Sequence, residues 1–228
     1  MMSAIITSAR LVSNIGGKRH TMLFDTGPEG PIFLRNCANL GIRLGEVEAI
    51  AVTHGHWDHM AALPATIDRI IEQGGRVTVH VNPGMFNERA IRLSGGRIVP
   101  VANVPLPPEL DRHGARVVNN LEDRLLLDGH FYYSGEIPRV TPFEKGRDDH
   151  FCRKNPEAPW EPDPLLLDER MLVAKVRGLG DGRTAPRGCH GTQYPRDGGR
   201  VEAVHHRPHH HWALHRLACL ARSGQCLW

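Results

Sequence analysis

Val47-Glu48-Ala49-Ile50-Ala51-Val52-Thr53-His54-Gly55-His56-Trp57-Asp58-His59 is the stretch that decides the fold. Val47 to Val52 is a compact, mostly apolar run with the length and branching of a buried strand. It leads without a spacer into four ligand-type side chains, His54, His56, Asp58 and His59, within six positions. Imidazoles two residues apart on a turn can face one ion, while Asp58 and His59 turn toward a second. Neutral imidazole and carboxylate suit Zn²⁺ and related first-row ions, and Gly55 lets the backbone fold tightly between the ligands. Thr53 ahead of the motif and a helix starting near Met60 would orient the ligands and add positive dipole. A surface histidine cluster that happens to match is the plain alternative, but it leaves the preceding strand and following helix unaccounted for.

Outward from this turn, Ala4 to Val12 and His20 to Phe24 alternate in polarity around Asn14-Ile15-Gly16-Gly17, which predicts a β-hairpin. Phe33 to Leu40 is predicted as a short helix. On the other side, Leu63, Ile67, Ile70 and Ile71 fall at helical spacing within Ala61 to Gln73, ended by Gly74-Gly75. Val77 to Val81 then reads as a strand, Pro83 to Arg92 as a helix, and Ile98 to Val104 and Arg116 to Val118 as short strands. Glu144 to Pro164 is polar and proline-rich and reads as one long loop. Leu165 to Leu167 and Met171 to Val176 read as a hairpin around Asp168-Glu169. Alternating strands and helices give the α/β class.

The 228 residues fit one α/β domain. No apolar run is long enough to span a bilayer, and the amino end lacks the order of a secretory leader, so the expectation is a cytoplasmic protein with no membrane partner. The five cysteines are irregularly spaced with no CxxC pair, which reads as incidental thiols rather than a disulfide framework. The formal charge of +3 hints at an acidic partner until it is located along the chain. Gly178 to Trp228 holds seven Arg, no Lys and three acids, so the basic excess belongs to that tail alone. No basic stripe interleaved with aromatic residues runs through the body, so no nucleic-acid partner is expected. The sequence carries no signature of oligomeric state.

Thr53 to His59, with Leu23-Phe24-Asp25-Thr26-Gly27 about 25 residues ahead of the motif, resembles the metallo-β-lactamase superfamily. The resemblance implies an αββα sandwich with a dinuclear zinc-type centre. His54 and His56 would hold one ion and Asp58 and His59 the other, with Asp58 also the catalytic carboxylate and Asp25 and Thr53 supporting the loop. A bridging hydroxide would be the nucleophile of a hydrolytic member. A narrower likeness lies in Ser134-Gly135-Glu136-Ile137-Pro138-Arg139, Thr141-Pro142-Phe143-Glu144-Lys145 and Asp168-Glu169. These look like the branch containing 7,8-dihydropterin-6-yl-methyl-4-(β-D-ribofuranosyl)aminobenzene 5′-phosphate synthase, over roughly Met22 to Gly178. That branch implies a phosphate-bearing or pterin-like small-molecule substrate, taken either by metal-dependent hydrolysis or by transfer of a pterin-methyl group with loss of diphosphate. His80, Arg139 and Lys145 are then substrate-pocket candidates, each with an ordinary alternative as a surface charge or strand-end polar group.

The later ligands that the resemblance implies, among them a His in a GCSHAG-like turn after the strand ending near Val176, are missing as written. The sandwich is therefore expected to be incomplete in its C-terminal half, with a domain over 1–177 and an atypical His/Arg-rich tail over 178–228. That tail holds seven of the fifteen His and no Lys, Ile, Phe, Met or Asn. Back-translated and read one base later, Pro186 to Pro195 permits a His-Ala-Gly turn, and His205 to Trp212 an apolar strand. The tail thus reads as out of frame, against the competing reading of a genuine His-rich metal-storing segment over His205 to His215. Without later histidines the chain is expected to be poorly active or inactive, and a non-catalytic zinc-binding or interaction module is the alternative from another class.

Overall fold

The computed structural model describes residues 8–140, 142–175, 200–203 and 217–218. Strands β1 (Ala9–Ile15) and β2 (Lys18–Phe24) form the opening hairpin. Its two-residue turn, Gly16-Gly17, has both φ values positive, at 59° and 81°, the geometry that tight hairpins of this length require and glycine supplies without strain. The strand extends to Ile15, and the expected residues Ala4 to Thr7 lie outside those described.

Helix α1 (Gly30–Asn39) carries the chain over one sheet face to β3 (Ala49–Ala51), and the short α2 (Trp57–Met60) and longer α3 (Leu63–Glu72) carry it to β4 (Thr78–Val81). Helix α4 (Pro107–Arg112) precedes β7 (Arg116–Asn119). Strands β2, β3, β4 and β7 run parallel, with β1 antiparallel at the side, and β13 (Arg200–Ala203) pairs with β1 at the sheet's edge. A second sheet holds β8 (Arg124–Leu126), β9 (Phe131–Tyr133), β12 (Leu172–Ala174) and β14 (Leu217–Ala218). A third sheet, also four-stranded, contains β5 (Glu88–Arg92), β6 (Ile98–Pro100), β10 (His150–Arg153) and β11 (Glu161–Pro162).

Two cores hold the layers together. Ile50, Val52, Val79 and Val81 face the helices, where Phe33, Leu63, Ile67 and Ile70 meet them. On the opposite face, Leu11, Met22, Phe24, Ala49 and Ala51 pack on Leu126, Phe131, Tyr133 and Leu172 of the second sheet. Alternate residues of each strand thus serve different cores, as the two-residue period of a strand requires. Helix α3 ends as its glycines dictate: Gly74 takes φ 80°, and the Gly74 and Gly75 amides close on the Ile71 and Ile70 carbonyls at 2.9 Å each. The mixed α/β sandwich agrees with the sequence reading, its described part comprising one helical layer and two stacked sheets. Among the described residues, no helix is long and apolar enough to cross a membrane.

Three segments depart from expectation, each because a distant partner overrides local preference. Pro83 to Arg92 is not one helix: a single 3₁₀ turn, Pro83–Phe86, is capped by the Asn82 side chain accepting from the Gly84 amide at 3.0 Å, and Glu88–Arg92 is strand. Pairing with β10 and β6, and the ion pairs Arg89 makes with Asp163 and Asp168, pull that segment straight. Glu144 to Pro164 contains β10 and β11 rather than being loop throughout. Leu165 to Leu167 does not pair with the following strand; β12 pairs with β9, and Leu165 to Leu167 forms a turn with Leu166 at φ 48°. Its carbonyls are taken by Arg139 and Arg170. The expectations for the tail lie outside the described residues, apart from β13 and β14.

The helical core sets a stability test. Ile67 is fully buried on α3 while Ile71, four residues on, is 40% exposed. Ile67→Ala should cost about 2–5 kcal/mol and Ile71→Ala much less, measured as urea unfolding midpoints of the two variants.

Candidate metal centre

The site forms where the parallel strands end, because the residues just past β2, β3 and β4 share that edge of the sheet. Asp25 follows β2 with φ 62°, a left-handed conformation that aspartate tolerates better than most residues. The twist turns its carboxylate inward, where it is 2% exposed. There Oδ1 accepts the Thr53 amide at 2.8 Å and Oδ2 accepts the Thr53 hydroxyl at 2.8 Å and the His59 Nδ1–H at 2.8 Å. The Thr53 hydroxyl in turn lies 3.0 Å from His54 Nδ1. With its own proton given to Asp25, it accepts the His54 Nδ1–H. These bonds assign the Nδ1–H tautomer to both histidines and leave both Nε2 atoms as lone-pair donors.

Those donors fall into two pairs. His54 Nε2 lies 3.1 Å from His56 Nδ1, close to the roughly 3.3 Å that separates two nitrogens on one tetrahedral zinc with Zn–N near 2.0–2.1 Å. His59 Nε2 lies 3.8 Å from Asp58 Oδ2. The rings of His54 and His59 are 4.1 Å apart at their centroids, so the pairs share one locus. The donor chemistry fits first-row divalent ions as two half-sites. Among the described residues, no group of three His, Cys, Asp or Glu side chains is disposed to hold one ion. Each half-site therefore needs further ligands to close.

Around the turn, a second set of contacts fixes the backbone. The Gly55 amide donates to Asp168 Oδ2 at 2.7 Å, and Asp168 pairs with Arg89 at 2.8 Å. Asn82 holds the Asp168 carbonyl at 2.9 Å, and the Arg170 amide donates to the Thr53 carbonyl at 2.7 Å. The Thr26 and Gly27 amides take the His59 carbonyl at 3.0 and 3.3 Å. Gly55 is required because the Met85 backbone passes so close that a Cβ would sit 2.1 Å from its carbonyl oxygen.

The electrostatics follow from burial and these neighbours. Burial above all, then Arg89, His150 and His59, push His56 down to about 3, so its ring is neutral at pH 7. Burial disfavours charge on His59, but the Asp25 carboxylate more than offsets this, leaving its pKa above the usual value.

The structure brings together Asp25, Thr53, His54, His56, Asp58 and His59, all named from sequence. Of the three substrate-pocket candidates, Arg139 donates to the Leu165 carbonyl at 3.0 Å and pairs with Glu169 and, at 3.7 Å, with Glu144. Lys145 is exposed, and His80 faces the space between the two stacked sheets. Sequence reasoning missed His150, whose ring stands edge-on to His56 at 5.4 Å, and the Arg89 and Asn82 contacts to Asp168. His150 lies far along the chain in a segment without periodicity, so no local signal pointed to it.

A family model described as the Metallo-beta-lactamase superfamily matches residues 8–215. Among solved structures, the Rm3 metallo-beta-lactamase is similar at 16% identity and TM-score 0.35, covering 73% of this chain and 58% of that one. MIM-2 Metallo-Beta-Lactamase is similar at 18% identity and TM-score 0.36, with 75% and 59% covered. The metallo-beta-lactamase GOB-18 from Elizabethkingia meningoseptica is similar at 17% identity and TM-score 0.31, with 69% and 52% covered. The chain thus spans between about half and three fifths of the length of these structures. No curated protein matches it.

The close passage of Met85 makes Gly55 a sensitive position. Gly55→Ala should destabilise the fold by about 1–3 kcal/mol through overpacking, seen as a lower thermal midpoint, and should loosen the ligand turn so that zinc no longer protects the protein against heat.

Proposed function

The chain belongs to the metallo-β-lactamase superfamily, and from that premise we propose that it is a metal-dependent hydrolase-type protein acting on a small molecule in the cytoplasm. His54 and His56 hold one zinc-type ion and Asp58 and His59 the other. The finer form of the proposal is a phosphate- or pterin-like substrate, with hydrolysis or pterin-methyl transfer as the reaction. The observation that carries it is the pair of ring nitrogens 3.1 Å apart on His54 and His56, the His54 nitrogen presented by a tautomer that Thr53, itself held by Asp25, fixes.

Ions bound here would supply Lewis-acid polarisation and an acidified water. The chain's own residues do the rest of what can be derived. Asp25 and Thr53 keep two imidazoles from rotating, Asp168 and Arg89 hold the Gly55 amide, and burial keeps His56 unprotonated and ready to bind. Asp58, whose side chain is 45% exposed, is the member of the set that faces solvent and incoming substrate.

A second reading, a zinc-binding module without turnover, is favoured by the lack of any three-donor group among the described residues. Within our proposal the tail is out of frame from about Gly178, so that the GCSHAG-like turn that the resemblance implies is missing from the sequence as written. Sequencing the gene across that point tests this: an insertion or deletion is expected, and an intact frame removes the idea.

Metal titration of the chelator-stripped chain tests the centre. Zinc should bind weakly, and His56→Ala should lower the affinity about tenfold or more. Because the raised pKa of His59 makes zinc compete with a proton at Nε2, affinity should fall as pH drops from 8 to 6; His56, already neutral, contributes nothing to that slope. Tight binding of two ions by the chain as written, or a pH-independent affinity, would count against this scheme. Turnover of a generic phosphodiester separates enzyme from module.

A further inference from the structure

Between the two stacked sheets, away from the metal turn, lies a cleft of about 360 Å³ lined by Glu48, Thr78, His80, Arg116, Arg124 and Leu125, among others. None of the four metal-turn ligands lines it. Its charges are not balanced. Among the described residues, no carboxylate pairs with Arg116 or Arg124. Glu48, the acid in the lining, is already committed: His20 holds it at 3.0 Å and the Thr21 amide at 3.2 Å.

Two polar atoms here also lack partners among the described residues. His80, 9% exposed, has a buried Nδ1 with none, and Arg124 has a buried Nε with none. Such atoms are costly in a folded interior unless a bound group satisfies them. Burial, then Arg124 and Arg116, push His80 down to about 4, so its imidazole is neutral at pH 7 and sits in the field of both guanidiniums.

We propose that this inter-sheet cleft is a binding site for a phosphate group, free or carried on a small molecule, held by the guanidiniums of Arg116 and Arg124 with His80 and Thr78 as neutral donors. Two planar forks and two neutral donors match an oxyanion with several acceptor oxygens better than they match a single carboxylate. The volume, at the lower end for small-molecule pockets, leaves room for a compact organic group beyond the phosphate. Thr78 and His80 lie two apart on β4 and so face the same side of the sheet. Arg116 pairs with Thr78 from β7, and Arg124 comes from the facing sheet on β8. The site therefore exists only when the two sheets are stacked, and its occupant would bridge them. It does not rest on metal at the His54 turn.

The test uses the full chain after chelator treatment, titrated with inorganic phosphate and separately with glycerol phosphate at fixed ionic strength against chloride. The His80 imidazole resonances should shift saturably with one or both ligands, and the tighter of the two identifies the source of the phosphate group. Arg116→Gln combined with Arg124→Gln should weaken binding about tenfold or more while circular dichroism shows the fold retained; Arg116→Gln alone, at an exposed position, gives the partial effect if the pair unfolds. His56→Ala should leave phosphate binding unchanged. Equal binding by the parent and the double variant, loss of binding in His56→Ala, or a response that chloride reproduces would overturn the proposal.

Discussion

The buried carboxylate of Asp25 carries three hydrogen bonds that together determine where the metal turn sits. A carboxylate at 2% exposure is tolerable only because both oxygens are satisfied, and each donor is a group that the site needs held still. The Thr53 amide fixes the start of the turn, the Thr53 hydroxyl orients His54, and His59 is gripped directly. Asp25 reaches them by adopting a left-handed backbone conformation at the end of β2. The position of β2 beside β3 in turn rests on the apolar layers above and below the sheet.

That dependence links stability to chemistry. Strand β3 has three fully buried residues, and it serves both cores at once, Ile50 toward the helices and Ala49 and Ala51 toward the second sheet. The turn that follows it inherits this rigidity. On its far side the turn is tied by Asp168 to Gly55, and Asp168 is itself fixed by Arg89 and Asn82, which come from a different sheet and a different loop. The ligand turn is thus clamped between two carboxylates, Asp25 orienting rings and Asp168 orienting backbone.

The inter-sheet cleft obeys the opposite logic. At the metal turn the Asp25 carboxylate and the Thr53 hydroxyl are satisfied within the protein. In the cleft, among the described residues, His80 Nδ1 and Arg124 Nε have no partner, and the guanidiniums of Arg116 and Arg124 have no acidic partner.

The α/β class, the opening hairpin, and helix α3 with its glycine stop are legible in the sequence alone, and so is the candidate ligand motif from Thr53 to His59. All of these are encoded locally, by spacing of apolar residues, paired glycines and ligands crowded into one short motif. The carboxylate role of Asp25 was legible only through resemblance, since it lies a helix and a strand away from the ligands it orients. Long-range packing, not local sequence, makes Glu88–Arg92 strand rather than helix, sets Asp168 against Gly55, stands His150 against His56, and brings His80 to face Arg124 across two sheets. Each of these depends on a partner tens of residues distant, and the hydrogen bonds and burial that such partners provide outweigh the small local preferences that a sequence window can read.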